Sequence, residues 1–183
     1  FDLAKLSWLN GHYLREMEPA ELLRRLRSWR LGDDYLLRLL PLLRERMERL
    51  DQFIPASTFF LTGDLDYSGV LAQLVPKGRD RTATAKALVD LCDHLEETVR
   101  GDWTHEGLEA ACRAFAEKTG WKTKELFPPI RVAVTGRTAS PGPFETMLVV
   151  GKDLVRRRLR QAAHALLTAP AAPAAPASPP AAP

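Results

Sequence analysis

The chain has 183 residues, 45% of them hydrophobic and 27% charged, an ordinary balance for a globular protein of one large domain or two small ones. No stretch approaches the roughly 20 consecutive apolar residues of a membrane helix, so no membrane association is expected. No signal-peptide pattern opens the chain, and because it begins on Phe1 the numbering is expected to start inside a longer parent.

Two cysteines, Cys92 and Cys112, lie on apolar helical stripes. They read as small buried side chains rather than a disulfide or metal pair. His12, His94, His105 and His164 are scattered, without metal-ligand spacing. A reducing, cytoplasmic setting and no metal are expected. The net charge of +3 is unevenly placed. Residues 22–49 hold eight arginines against four acids, residues 82–118 hold eight acids against four bases, and residues 131–160 hold seven bases against Glu145 and Asp153. Two basic segments around an acidic one point to a polyanion on one face, although solvated helix faces give the same pattern.

In chain order, Leu3, Leu6, Leu9 and Tyr13 form a first helical stripe. Pro19 fits the first turn of a second helix carrying Leu22, Leu23, Leu26 and Trp29. Gly32 ends it, and Asp33 or Asp34 is placed to cap a third. That third helix carries Tyr35, Leu36, Leu39, Leu40, Leu43, Met47 and Leu50, with a kink or break expected at Pro41. Residues 51–80 are punctuated by Gly63, Gly69 and Pro76-Lys77-Gly78, and the chain is divided near residue 80. A helix starting near Thr82 or Thr84 follows, then one from near Thr104 that Thr119-Gly120 stops. Residues 130–136 alternate like a strand, but one strand without a partner makes no sheet, so the helical reading stands by elimination. Gly142-Pro143 starts a short helix, Gly151 interrupts, and Lys152 to Leu167 form the last one. From Ala169 onward only Ala, Pro and Ser occur, a composition expected to form a disordered tail.

No arrangement with catalytic chemistry is present. There is no Gly-rich phosphate loop, no Walker-type lysine and no nucleophile elbow. A binding module is favoured over an enzyme.

Two motifs carry a resemblance. The first is Phe1-Asp2-Leu3-Ala4-Lys5-Leu6-Ser7-Trp8-Leu9-Asn10-Gly11-His12-Tyr13-Leu14-Arg15-Glu16. The second is Phe127-Pro128-Pro129-Ile130-Arg131-Val132-Ala133-Val134-Thr135-Gly136, followed by Ser140-Pro141-Gly142-Pro143-Phe144-Glu145 and by the basic run Leu154 to Arg160. Together they resemble the C-terminal, tRNA-reading part of bacterial glutamyl-tRNA synthetases, over roughly residues 1–167. The resemblance implies an all-α fold: stem-contact helices over residues 1–30, then a helical cage of two small anticodon-binding subdomains, 31–80 and 81–167, with the tail from 168. It implies the tRNA for glutamate as partner, a monomer, and no cofactor in this chain. The parent joins glutamate to that tRNA with ATP and magnesium, but its ATP-handling motifs are not found here, so this chain alone is expected to be inactive. A free-standing helical interaction module is the alternative.

The resemblance also assigns residues. Leu43-Arg44-Glu45-Arg46-Met47-Glu48 looks like the helix supplying the anticodon-reading arginine, and Arg46 matches it. An arginine there goes, in that family, with discrimination between glutamate and glutamine anticodons. An ion pair of Arg46 with Glu45 or Glu48 is the structural alternative. Arg131 matches a second anticodon-side arginine, with a structural salt bridge as its alternative. Ser140, Pro141, Gly142 and Pro143 match a third contact, but threonine would be usual at 140 and leucine at 143, so this loop departs from the family pattern. Arg156, Arg157, Arg158 and Arg160 are candidates for phosphate contacts.

Overall fold

The computed structural model describes residues 2–170. The expected Ala/Pro tail falls almost wholly outside them. Among the described residues there is no strand, so the all-α expectation holds.

Helix α1 (Leu3–Glu16) is capped by Asp2, whose carboxylate accepts from the Ala4 and Lys5 amides at 2.9 and 3.1 Å. It buries none of its side chains. Helix α2 (Pro19–Leu26) opens on Pro19, where a missing amide costs nothing. A π-helical turn, Arg27–Leu31, continues it. Gly32 ends that turn because a Cβ there would collide with the Arg27 carbonyl oxygen.

Gly32 itself is the N-cap of α3 (Asp33–Leu43). Asp33 and Asp34, expected as caps, lie inside the first turn and make no side-chain capping bond. There they still oppose the positive end of the helix dipole. The break expected at Pro41 comes two residues later: the helix runs through Pro41 and stops at Leu43. The Pro41 ring crowds the Leu37 carbonyl and leaves it without its helical donor, in a turn whose Leu37 is exposed. Two 3-10 turns, Arg44–Arg46 and Leu50–Gln52, lead to α4 (Phe53–Leu61), so Met47 and Leu50 are not on α3 as expected.

A single turn, α5 (Leu71–Leu74), precedes α6 (Arg81–Thr98). Helix α6 starts at Arg81, close to the expected Thr82, and its cap is Asp80, accepting from the Ala83 amide at 2.7 Å. Helix α7 (His105–Thr119) is capped by Thr104 and closed by Gly120. Helix α8 (Thr123–Thr135) settles the ambiguous segment as helix, with Pro128 and Pro129 inside it. Gly136 ends it at φ 67°, a left-handed conformation that favours glycine. Helices α9 (Pro143–Val150) and α10 (Lys152–Thr168) complete the fold.

The apolar core is one continuous cluster from Tyr35, Leu39 and Leu43 of α3 to Leu159 and Leu166 of α10. Its most extensive packing is α6 against α10. Neither α1 nor α2 contributes a buried residue. Arg30 of the π-helical turn ties this N-terminal arm to the body, donating to the Phe60 carbonyl at 2.8 Å and the Val150 carbonyl at 3.1 Å.

Candidate nucleic-acid interface

Arg46 is the last residue of the 3-10 turn between α3 and α4, rather than a helical residue as expected. It is exposed. Among the described residues it makes no ion pair with Glu45, Glu48 or any other acid. Its neighbour Arg49 behaves differently and is held bidentately by Asp51 at 3.0 and 2.5 Å. The free guanidinium of Arg46 offers its planar fork to solvent, the geometry that matches a base edge or a phosphate.

Arg131 stands on α8, half-buried, with its Nε fully enclosed and without a hydrogen-bond partner. No carboxylate pairs with it among the described residues, so the salt bridge weighed for it is not formed. A buried donor without an acceptor costs about 1–3 kcal/mol; the Arg156 Nε is in the same position. Arg131 lines an open cleft of about 390 Å³ together with Arg113, Thr123, Lys124, Phe127 and Pro128. The Arg113 guanidinium lies over the Phe127 ring, 5.6 Å from its centroid, and Glu109 steadies it at 2.8 and 2.6 Å. Pro128 and Pro129 cannot donate backwards, so the Lys124 and Glu125 carbonyls in the first turn of α8 lose their usual helical partners. Three cations around one aromatic face form a combination suited to a nucleotide, its base stacked and its phosphate neutralised.

The turn at 140–143 adjoins this cleft through one contact. Phe144, just after Pro143, packs edge-on against Phe127 with centroids 5.2 Å apart. The turn itself faces inward: Ser140 and Pro141 are buried, and the Ser140 hydroxyl donates to the Pro141 carbonyl at 2.9 Å. Gly142 and Pro143 are half-buried. The Glu145 carboxylate occupies the space a Cβ at 142 would need and meets His105 Nε2 at 3.3 Å. The N-terminus of α9 is thus covered by an acid of its own helix. The structure therefore joins Arg131 to the 140–143 turn through aromatic packing. It shows no contact between Arg46 and either of them.

The basic run on α10 is engaged internally. Arg156 pairs with Glu96, Arg157 with Asp64 at 2.6 Å, and Arg160 with Asp93 and Glu96 at 3.2 and 3.3 Å. Arg158 is completely buried, so it is no phosphate contact. Arg113, Lys124 and Phe127 were not singled out from the sequence, because their joint position depends on how α7 packs beside α8.

Comparison with known proteins bears on this geometry. Residues 20–163 match the model of the family described as "Anticodon binding domain". The chain belongs to that family. Among curated relatives, the glutamate–tRNA ligase of Stutzerimonas stutzeri is 32% identical over 166 residues, covering 91% of this chain and 33% of that protein. The glutamate–tRNA ligase of Acidothermus cellulolyticus is 36% identical over 178 residues, covering 89% and 34%. This member of the anticodon-binding family therefore spans about a third of the length of the curated relatives it matches. Its fold is similar to that of a crystallised glutamate tRNA ligase from Elizabethkingia meningosepticum in complex with its amino acid, with TM-score 0.55 and 21% identity over 91% of this chain and 33% of that one. No helix among the described residues is long and apolar enough to cross a membrane.

Proposed function

We propose that this chain is the tRNA-binding part of a glutamate–tRNA ligase and reads the anticodon of the tRNA for glutamate. The observation that carries the reading is the placing of Arg131: a half-buried arginine without a carboxylate partner among the described residues, in a cleft with Lys124 and an aromatic wall, in a chain of the anticodon-binding family. The Arg113 guanidinium, lying over Phe127 and held by Glu109, offers a flat platform for a splayed base, Arg131 offers donors to the base edge, and Lys124 neutralises the adjoining phosphate. Arg46, exposed and unpaired, supplies a second reading fork. The 140–143 turn stands behind the cleft, linked to it through Phe144 against Phe127, and is the third proposed contact. In the whole ligase, ATP and magnesium serve the attachment of glutamate outside this chain. The protein acts as a monomer in the cytoplasm.

The deciding experiment measures binding of the chain to a glutamate tRNA transcript and to the same transcript with a substituted anticodon, across several salt concentrations. The expected result is preference for the native anticodon and a falling affinity with salt. Arg131→Ala and Arg46→Ala are each expected to reduce the preference by about 1–3 kcal/mol. Equal binding of both transcripts at every salt concentration would overturn the reading.

A further inference from the structure

Two helices end against one buried cation. The last carbonyls of any helix lack intrahelical donors and carry the negative end of its dipole. At the end of α4, the carbonyls of Phe59, Thr62 and Gly63 accept from Arg158 at 2.7, 2.6 and 3.1 Å. At the end of α8, the Val134 carbonyl accepts from the same guanidinium at 2.7 Å. The Ala133 carbonyl accepts from the Tyr67 hydroxyl at 2.6 Å, and that hydroxyl also lies 3.2 Å from the Arg158 carbonyl. Arg158 has no exposed surface and no carboxylate partner among the described residues. Burial lowers its pKa to about 10, which leaves it charged at neutral pH. Its counter-charge is the paired dipole ends of α4 and α8.

This arrangement fixes more than charge. The rigid fork spans four carbonyls on two segments, so it sets where α8 ends relative to α4. Val134 lies three residues, about one turn, beyond Arg131. Gly136, which opens the segment leading to the 140–143 turn, follows two residues later. Tyr67 clamps the carbonyl between Val132 and Val134. Among the described residues no other α10 side chain donates to this end of α8.

We infer that Arg158, with Tyr67, is a positioning residue for anticodon recognition: it clamps the end of α8 and thereby aims Arg131 into the cleft. The inference rests on the reading that Arg131 contacts the anticodon. Lysine separates the two roles of Arg158. Its ammonium keeps the charge that neutralises both helix ends, but a single nitrogen cannot span four carbonyls in the geometry of the fork.

The test uses the full chain with the native and anticodon-substituted transcripts. Arg158→Lys is expected to remain folded by circular dichroism, to keep the wild-type dependence of affinity on salt, and to lose about tenfold or more of the anticodon preference. Combined with Arg131→Ala, it is expected to cost no more preference than Arg131→Ala alone, because both act through one side chain. A folded Arg158→Lys chain that keeps its preference, or losses that multiply in the double variant, would overturn the inference. Should Arg158→Lys fail to fold, Tyr67→Phe carries the same test. It keeps the ring and removes the bond to Ala133, with a loss of preference expected that is again absent in the Arg131→Ala background. Retention of preference by Tyr67→Phe counts against the inference. A wild-type chain with no preference would overturn the anticodon reading and the inference together, whereas preference surviving in the variants would overturn the inference alone.

Discussion

On the proposed reading, Arg131 serves binding at the expense of stability. Its Nε is buried without an acceptor, and a buried donor left unpaired is destabilising. Arg131→Met keeps the apolar stem and removes that donor. The expected outcome is a urea midpoint equal to or above wild type, with the denaturant slope unchanged, alongside weakened tRNA binding. A drop of more than about 1 kcal/mol would mean that the guanidinium is satisfied in solution by a group of the chain itself. The cysteines behave in the opposite way. Burial pushes the Cys112 thiol up to about 12 and raises that of Cys92 as well. Because the thiolate is the reactive form, neither is expected to react with a disulfide reagent at pH 8 until the chain is unfolded. The linkage follows the same sign. The folded thiol of Cys112 binds its proton more tightly than the unfolded one, so its contribution is fully present below the ordinary thiol range and is lost as pH rises toward 12. A urea series from pH 8 to 10.5 should therefore show falling stability. At this scale the sequence exposes some of the site and hides the rest. Arg46 and Arg131 could be named from their motifs, but Arg113 and Lys124 could not, because α7 and α8 meet only in three dimensions. Ser140 could be named, but its inward hydroxyl could not be foreseen.

Helix ends were legible where the ending residue acts locally. Thr104 caps α7, Gly120 closes it, and Pro143 opens α9, each through bonds within a few residues. The start of α6, expected near Thr82 or Thr84, lies at Arg81, because the true cap is Asp80 and both threonines fall in the first turn. Asp80 holds the Ala83 amide, while the Thr84 hydroxyl donates back to the Asp80 carbonyl at 2.8 Å. Asp80→Ala is expected to cost about 1 kcal/mol by urea unfolding, and Thr82→Ala, away from the cap, close to nothing. Equal costs at the two positions would shift the cap to the threonine. The strand-like alternation at 130–136 misleads for a reason of packing. Ile130 and Val132 to Thr135 are all buried, so the end of α8 is enclosed on several sides and shows no single apolar stripe. Pro41 reads as a kink or break, yet it sits inside a helix, as do Pro128 and Pro129. Their cost is offset by tertiary packing around Leu39, Leu43 and Ile130.

Across the whole molecule, charge and packing divide the chain in different ways. The two basic segments seen in the sequence fare differently: the run on α10 is spent on Asp64, Asp93, Glu96 and backbone carbonyls, whereas Arg27, Arg38, Arg44 and Arg46 of the first are exposed and have no acidic partner among the described residues. Around the Phe127 cleft, Lys124 and Arg131 are likewise without an acidic partner among the described residues, while Arg113 is paired with Glu109. Packing sets the N-terminal arm apart from the rest. Trp8 is 66% exposed, Tyr13 61% and Leu3 70%, and no side chain of α1 is buried. What order α1 has comes from local bonds: the Asp2 cap, the Trp8–His12 stack at 5.8 Å and the His12–Glu16 contact at 3.3 Å. Such interactions contribute only tenths of a kcal/mol each in isolated helices. Below Gly32, by contrast, Arg30 anchors the π-helical turn on Phe60 and Val150. The fold of residues 33–168 should therefore be indifferent to α1. A chain lacking residues 1–16 is expected to unfold within about 2 °C of the full chain in a calorimetric scan, since a shift of that size corresponds to roughly half to one kcal/mol at this length. Arg30→Ala should lower the midpoint by more, because it strips donors from two carbonyls at the edge of the core. If the truncated chain instead melts several degrees earlier while Arg30→Ala does not, then α1 folds back onto the body in solution, and the arm is held by its apolar face rather than by the arginine anchor.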